Sequence, residues 1–172
     1  MKHSGRNIKQ RLYGLTLIGN RLSRIRHFRG HGVHSPFVYS LVRKVFMRKT
    51  LIDNSVAELY DRLSALDIPV RRAVELQNTM NFLGYTTYSI DKIEATAEFN
   101  ILTPTLSIAQ SIVAIENAAK CGTTVVVVTP YINKERDMMC REAIAAHRST
   151  SVDNRGYILF FNNHLPKQHY RL

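Results

Sequence analysis

The first half of the chain has its apolar residues at spacings of three and four, which is the period of an amphipathic helix. The first stripe contains six residues, namely Ile8, Leu12, Leu15, Ile18, Leu22 and Ile25. Ser35 followed by Pro36 predicts the start of the next helix, because serine caps helices and proline suits their first turn. The apolar face of that helix consists of Phe37, Val38, Leu41, Val42, Val45 and Phe46.

Two more helices are predicted before residue 85. Ser55 and Glu58 have the spacing of a capping box, in which each side chain bonds the backbone N–H of the other residue. Pro69 is predicted to open the following helix and Gly84 to end it. The first half of the chain is therefore predicted to be helical throughout.

The second half alternates between strand and helix patterns. Strands are predicted at residues 85–90, 99–102, 123–128, 157–161 and 168–172, and helices at 107–120 and 134–147. The continuous apolar run in the third strand is typical of a strand covered on both faces, as in parallel sheets. The last two strands are close enough in sequence for an antiparallel hairpin. The predicted class is α/β, with a helical N-terminal part packed on a sheet.

The positive charge of the chain is unevenly distributed. The net charge is +11, from 24 lysines and arginines and 13 aspartates and glutamates. Twelve of the cations lie in residues 1–49, which contain no acid, and the first acid is Asp53. The rest of the chain is nearly neutral, so the sequence predicts a basic N-terminal segment, 1–50, joined to a globular part, 51–172.

Composition excludes several classes of protein. With 45% hydrophobic residues the chain is too apolar to be disordered, and its length suits one domain. No apolar run approaches the ~20 residues of a membrane span. Cys121 and Cys140 lack the spacing of a metal or redox motif, so we expect both to pack in the interior of a cytoplasmic protein.

Two blocks at the ends of the chain resemble a known family. Residues 29–38 read Arg-Gly-His-Gly-Val-His-Ser-Pro-Phe-Val, and residues 156–161 read Gly-Tyr-Ile-Leu-Phe-Phe, followed at 165–170 by Leu-Pro-Lys-Gln-His-Tyr. These blocks resemble class I S-adenosylmethionine-dependent methyltransferases of the bacterial O-methyltransferase type. The segment from Arg71 to Tyr85 is similar to the helix that leads into the first strand of that family.

The resemblance implies a seven-stranded Rossmann-like sheet that binds the cofactor at its carboxyl edge, beside a glycine-rich turn after the first strand. Here no glycine lies between Gly84 and Gly122, and only a few residues separate the first two predicted strands. We therefore expect a shortened, degenerate sheet of about five strands, in the family order first, fourth, fifth, seventh and sixth. Cofactor-facing positions at its strand ends would be Ile90, Asp91, Thr103 and Pro104.

Other candidate residues have simpler interpretations. His27, His31 and His34 lie in a glycine-containing loop, but no Cys, Asp or Glu in the first 52 residues completes a metal site, so no metal is predicted. Asn133 stands alone where the resemblance implies acidic residues near a metal. Asp91 and Glu94 are interpreted as a solvated turn. The charged residues of the last helix are expected to line an exposed face, namely Glu135, Arg136, Asp137, Arg141 and Glu142.

Three functional hypotheses remain open. The first is a non-catalytic methyltransferase-like protein that binds an anionic partner through six cations, Arg21, Arg24, Arg26, Arg29, Arg43 and Lys44. The second is an active methyltransferase that binds S-adenosylmethionine by unrecognised residues. The third is a basic nucleic-acid-binding module, and contact with an acidic membrane surface is a further reading of the charge. The first strand would be a sheet edge, which the N-terminal helices or a second subunit of a homodimer are expected to cover.

Overall fold

The computed structural model describes residues 12, 13, 15, 33–53, 57–92, 94 and 96–172. Helix α1, Pro36–Leu41, begins as the sequence predicts, with Pro36 in its first turn and the Ser35 side chain accepting from the Val38 N–H. It continues as a π-helical turn over Val42–Phe46. Most of the predicted apolar face is buried here, so that prediction is confirmed. Leu12, Tyr13 and Leu15 are helical, but most of the first predicted helix lies outside the described residues.

Helix α2, Glu58–Ala65, begins later than the predicted capping box of Ser55 and Glu58 requires, and Ser55 itself lies outside the described residues. Its N-cap is Ala57 without a side-chain bond, and Glu58 instead accepts a hydrogen bond from the Tyr88 hydroxyl at 2.8 Å. Helix α3, Val70–Leu83, follows Pro69 and ends at Gly84 in the left-handed conformation, both as predicted. Gly84 has φ +70°, which glycine adopts without steric cost.

A six-stranded sheet forms the centre of the molecule. Its strands are β1 Tyr88–Ile90, β2 Phe99–Leu102, β3 Thr124–Val128, β4 Thr150–Asp153, β5 Tyr157–Phe160 and β6 Gln168–Arg171. Their spatial order is β1-β2-β3-β5-β4-β6. The first three strands are parallel, β5 is antiparallel to both β3 and β4, and β6 is parallel to β4.

Helices cover both faces of this sheet, as its apolar strands require. Helix α4, Ile108–Cys121, connects β2 to β3, and helix α5, Lys134–Ala146, connects β3 to β4. Side chains from α1, the π-helical turn, α2 and α3 share one core with the sheet. A second core contains residues of α4 and α5. The division at residue 50 stays a prediction, although residues from both sides of it pack in the first core.

The predicted C-terminal hairpin is wrong. Strands β5 and β6 are not neighbours, because β4 lies between them and pairs with both. Strand β4 was not predicted, since three of its four residues are Thr, Ser and Asp, which give no apolar pattern. All four are buried, so the tertiary structure rather than local hydrophobicity makes this segment a strand. The sheet thus has six strands rather than about five.

Helix α3 carries an unbroken run of eight buried residues, several of them polar. Gln77 Oε1 accepts from the Tyr60 N–H at 3.1 Å, and Asn78 bonds the backbone of Thr50 and Ile52. The Glu75 carboxylate, which is completely buried, accepts from Arg71, Arg72 and Asn154. These bonds connect three separate segments to α3, so this buried helix holds together parts of the chain that are far apart in sequence.

No helix in the described parts of the chain has the length and apolar character needed to cross a membrane.

On the face of the sheet that α1, α2 and α3 cover, α2 lies against β1, since the Arg62 guanidinium is 5.7 Å from the Tyr88 ring centre. Covering of the outer β1 edge by the N-terminal helices or a second subunit stays a prediction.

Candidate functional site

The residues predicted to face a cofactor come together at the carboxyl ends of the parallel strands, which form one edge of the sheet. Ile90 ends β1 and Asp91 follows it, while Thr103 and Pro104 follow β2. Strands β1 and β2 are parallel neighbours in which Ile90 pairs with Ile101, so their carboxyl ends lie side by side. In open α/β sheets this edge is where ligands bind. The proximity of Asp91 and Thr103 agrees with the sequence analysis, whereas their role as cofactor ligands stays a prediction.

The Asp91 carboxylate is fully engaged by the chain itself. One oxygen accepts from the Thr103 N–H at 2.7 Å, and the other accepts from the hydroxyls of Thr103 at 2.7 Å and Thr105 at 2.6 Å. The Asp91 N–H donates to the Ile101 carbonyl at 2.8 Å. Asp91 therefore ties the end of β1 to the end of β2, which replaces the interpretation of a merely solvated turn.

This tie sits in an unusually short crossover. Parallel strands normally need a connection of a dozen or more residues, most often with a helix. Here residues 91–98 alone connect β1 to β2, and none of them is a glycine. Asp91 adopts φ +57°, a conformation that Asp tolerates better than most residues. The chain thus turns back at the position where the family resemblance implies a glycine-rich loop.

Arg136 occupies the neighbouring strand ends. Its guanidinium donates through Nη2 to the carbonyls of Leu102 at 3.0 Å and Val128 at 3.2 Å, and through Nε to Val128 at 3.3 Å. The residue is only 2% exposed, which contradicts the prediction of an exposed charged face. Burial lowers the pKa of Arg136 below its ordinary value, while the nearby charge of Asp91 opposes that effect. Arg136 therefore caps the ends of β2 and β3.

Asp137, the next residue of that predicted face, is also buried. Arg141 donates to both of its carboxylate oxygens, at 2.8 and 2.9 Å, and the Tyr13 hydroxyl donates to one of them. Burial alone would raise the pKa of Asp137, but these hydrogen bonds hold it below its usual range. Burial and the bond to Asp137 raise the pKa of Tyr13 to about 12. Glu135, Arg141 and Glu142 are exposed, as predicted.

Backbone strain is concentrated at the same edge. Four non-glycine residues among those described have positive φ, and three of them directly follow or lie near strand ends: Asp91, Thr129 and Arg155. The Thr129 N–H donates to the Gly156 carbonyl at 2.8 Å, which joins the end of β3 to the β4–β5 turn. Strained residues persist where surrounding structure holds them and cluster at functional sites. The carboxyl edge is therefore a candidate site on geometric grounds.

A second candidate surface lies on the helical segment that follows Ser35 and on the residues directly after it. Arg43, Lys44, Arg48 and Lys49 are exposed, and Tyr39 is 47% exposed on the same helix; we name these five residues the basic ridge. None of its cations forms an ion pair with any described residue. The ridge contains two of the six predicted anion-binding residues, Arg43 and Lys44. The other four, Arg21, Arg24, Arg26 and Arg29, lie outside the described residues.

The remaining candidates give no reactive centre. His34 is exposed, and His27 and His31 lie outside the described residues. No group of three potential metal ligands occurs in the described ranges. Cys140 is buried as expected, and burial raises the pKa of its thiol to about 12, so it is a poor nucleophile. Cys121 is exposed, contrary to the prediction that both cysteines pack in the interior.

His147 gives the protein a titratable group whose effect on stability has a definite sign. Burial lowers the pKa of its imidazole in the folded state below the ordinary value. The unfolded chain therefore binds a proton first, and the wild type should lose stability as pH falls through about 6.5. We expect urea unfolding between about pH 7.5 and 5.5 to show a smaller loss for His147→Gln than for the wild type. This expectation would be contradicted if the wild type and His147→Gln lost equal stability, or if the exposed control His164→Gln reduced the loss as much as His147→Gln does.

Sequence reasoning missed Arg136 and Thr105 as parts of the strand-end cluster. The one local signal for Arg136 was its position three residues after Asn133, whose side chain caps α5 by accepting from the Arg136 N–H. That spacing fixes the start of the helix but not the direction of the side chain. No protein-family model matches this chain, and the comparisons with curated proteins and with solved structures likewise find no match.

Proposed function

We propose that this chain is a shortened methyltransferase-like protein without turnover, which binds a single-stranded nucleic acid through the basic ridge and the cations that precede it. The proposal has two parts, a scaffold that has lost its cofactor site and a surface that has an anionic partner. Each part has its own supporting observation and its own test.

The strand order supports the scaffold. Five strands follow one another as β1-β2-β3-β5-β4, with β5 antiparallel. This is the order first, fourth, fifth, seventh and sixth that would remain after the second and third strands of the family sheet are removed. Strand β6 is an addition beyond β4. The short crossover at residues 91–98 lies where the removed segment would have been.

The observation that carries the absence of turnover is the occupied edge of the sheet. Among the described residues, the hydrogen bonds that the Asp91 carboxylate accepts all come from Thr103 and Thr105, and the buried Arg136 covers the ends of β2 and β3. A cofactor that used the Asp91 carboxylate would have to displace these bonds, and each displaced bond to a charged group costs about 1.5–3 kcal/mol. The chain also lacks the close-approach glycine that such binding requires.

The basic ridge supports a nucleic-acid partner. Its cations have no acidic neighbours in the acid-free N-terminal segment, so their charge is available to phosphates. Tyr39 adds an exposed aromatic ring one helical turn before Arg43, and stacking rings beside cations are typical of proteins that bind single strands. Lys44 is held in place by the Phe82 ring, 5.9 Å from its ammonium group.

Two titrations of the full chain test this proposal. In calorimetry with S-adenosylmethionine we expect no binding heat, and micromolar binding would favour the active-enzyme hypothesis instead. In fluorescence anisotropy with labelled oligouridylate, affinity should fall steeply as salt rises, because neutralised phosphates release counterions. The double variant Arg43→Ala with Lys44→Ala should reduce the slope of log K against log salt by about 1.4.

The matched control removes two exposed lysines from the opposite face of the sheet, Lys120→Ala with Lys134→Ala, and should leave the slope nearly unchanged. Absent or salt-insensitive RNA binding would contradict the proposal. Binding to phosphatidylserine vesicles in place of RNA would assign the basic ridge to a membrane surface.

A further inference from the structure

A largely apolar groove lies between α4 and α5 on the face of the sheet that these two helices cover. Its volume is about 520 Å³, within the usual range for small-molecule sites. Six apolar residues line it, namely Ile112, Ile115, Ala119, Met139, Ala143 and Ala146. This α4–α5 groove lies on the face opposite the helices that carry the basic ridge, so it is separate from the proposed nucleic-acid surface.

One end of the groove is formed by a rigidly held imidazole. His147 is 8% exposed, and its ring packs edge-on against Phe160 with 5.2 Å between centres. Its Nε2 lies 3.1 Å from the Phe161 carbonyl and 3.3 Å from the Thr150 carbonyl. Both partners are acceptors, so Nε2 must carry the proton and donate. In the neutral ring Nδ1 is then a bare acceptor.

That acceptor has no partner within the described chain. All of the bonds of the His147 side chain are made by Nε2. Among the described residues, the fully enclosed polar side-chain atoms without a partner are Ser64 Oγ and Asn81 Nδ2, so Nδ1 is not sealed off. Because His147 lines the groove and its Nδ1 has no partner among the described residues, the groove favours a ligand that brings one hydrogen-bond donor.

The charged residues at the rim of the groove indicate which net charge a ligand can carry. Glu116 and Glu142 face it from the two helices, and Arg148 lies at the His147 end. Two carboxylates against one guanidinium disfavour an acidic ligand. The buried thioether of Met139 forms part of the wall, and sulfur contacts aromatic rings favourably.

We propose that the α4–α5 groove binds a small neutral aromatic molecule with one O–H or N–H donor, which donates to His147 Nδ1 while its ring lies against Met139 and the isoleucines. This function is independent of the nucleic-acid surface and of any cofactor at the strand ends. The ligand class follows from the apolar walls, the buried acceptor His147 Nδ1 and the negative rim.

The test titrates the full-length protein with 2-naphthol and with its methyl ether by isothermal calorimetry. The two probes have nearly the same shape, but only 2-naphthol can donate a hydrogen bond. We expect one binding site per chain for 2-naphthol and about tenfold weaker binding of the ether, the factor that corresponds to one unmade hydrogen bond. Equal affinity of the two probes, or no binding of either, overturns the proposal.

A pair of variants on α5 locates the site. Ala143→Phe fills the groove and should weaken 2-naphthol binding roughly tenfold or more, since the ring would occupy the ligand's place. Ala145→Phe places the same ring on the exposed side of the helix, outside the groove, and should leave affinity unchanged. Circular dichroism confirms the fold of both variants, and the comparison of the two probes on the wild type needs no variant. Unchanged binding in folded Ala143→Phe places the ligand elsewhere and overturns the assignment.

Discussion

Replacing Glu75 with alanine should lower the free energy of unfolding by about 3 kcal/mol, the lower end of the range for breaking a buried ion pair. The Glu75 carboxylate is completely buried and accepts from Arg72 Nη1 at 2.5 Å and Asn154 Nδ2 at 3.1 Å. Without it the Arg72 guanidinium stays largely buried without this acceptor, while Asn154 Nδ2 keeps its bond to the Tyr157 hydroxyl at 2.9 Å. The cost is not higher because Arg72 keeps 20% of its side chain exposed and Arg71 keeps 70%.

The arrangement around Glu75 leaves Arg72 little room to move. A Cβ on Gly156 would lie 2.4 Å from Arg72 Nε, so any larger residue there would displace the Arg72 side chain. On its other contacts Arg72 lies over the Tyr157 ring, 5.8 Å from the centre. These contacts keep the guanidinium beside the position of the Glu75 carboxylate. This packing is the reason to expect an effect well above that of a surface ion pair.

Urea unfolding followed by circular dichroism measures the loss. The matched control Glu116→Ala removes an exposed carboxylate from helix α4 and should change stability by no more than about 0.5 kcal/mol. Glu75→Gln should fall between the two, because its amide oxygen still accepts from Asn154. A Glu75→Ala variant as stable as the control would show that the stability of the fold does not depend on the hydrogen bonds accepted by the Glu75 carboxylate.

The second large effect is expected at the strand ends, where Asp91→Ala should cost about 2–3 kcal/mol. The substitution removes the acceptor for three donors from Thr103 and Thr105 at once. It also places alanine at φ +57°, where a Cβ without a polar group is strained. Asp91→Asn should cost only about 1 kcal/mol, since asparagine tolerates this φ and its amide can bond the same backbone and hydroxyl groups.

These two variants distinguish a structural tie from a cofactor ligand. If Asp91 acts as we propose, urea unfolding separates Asp91→Ala from Asp91→Asn and from the wild type, and none of the three proteins binds S-adenosylmethionine. If Asp91 serves a cofactor, the wild type binds S-adenosylmethionine and Asp91→Asn loses that binding with little change in stability. The calorimetric and unfolding measurements together decide between these roles.

Local chemistry was enough to predict most elements of the fold. Helix α1 begins at a residue with a strong intrinsic preference, Pro36, and the ends of α3 and α4 are set by Gly84 and Gly122. Ser107 and Gln110 form a complete capping box in α4. The buried strand β3 was recognisable because four consecutive valines have no solvent-facing alternative. Such signals depend on residues close together in the chain, so the predictions made from them hold in the folded structure.

Predictions that depend on contacts between residues far apart in the chain were less successful. Strand β4 consists of Thr150, Ser151, Val152 and Asp153, whose burial is compensated by bonds to distant groups, such as Ser151 Oγ to His169 Nδ1 at 2.9 Å. Because β4 was not predicted, β5 and β6 were paired with each other, although β4 separates them. Arg136 and Asp137 were assigned to a solvated face for the same reason, since charged residues normally remain in water unless distant partners satisfy them.

By itself the sequence determined the helices that the structure describes between residues 36 and 83, the α/β alternation of the second half, the ends of most elements and the acid-free basic segment, because these follow from local propensity and composition. It also placed Asp91 and Thr103 at strand ends. Only the tertiary structure decided that β5 runs between β3 and β4, that Asp91 is bound by threonines and that Arg136 is buried over two strand ends. Those features depend on contacts between residues far apart in the chain, and no local pattern specifies which distant partner will satisfy a buried polar group.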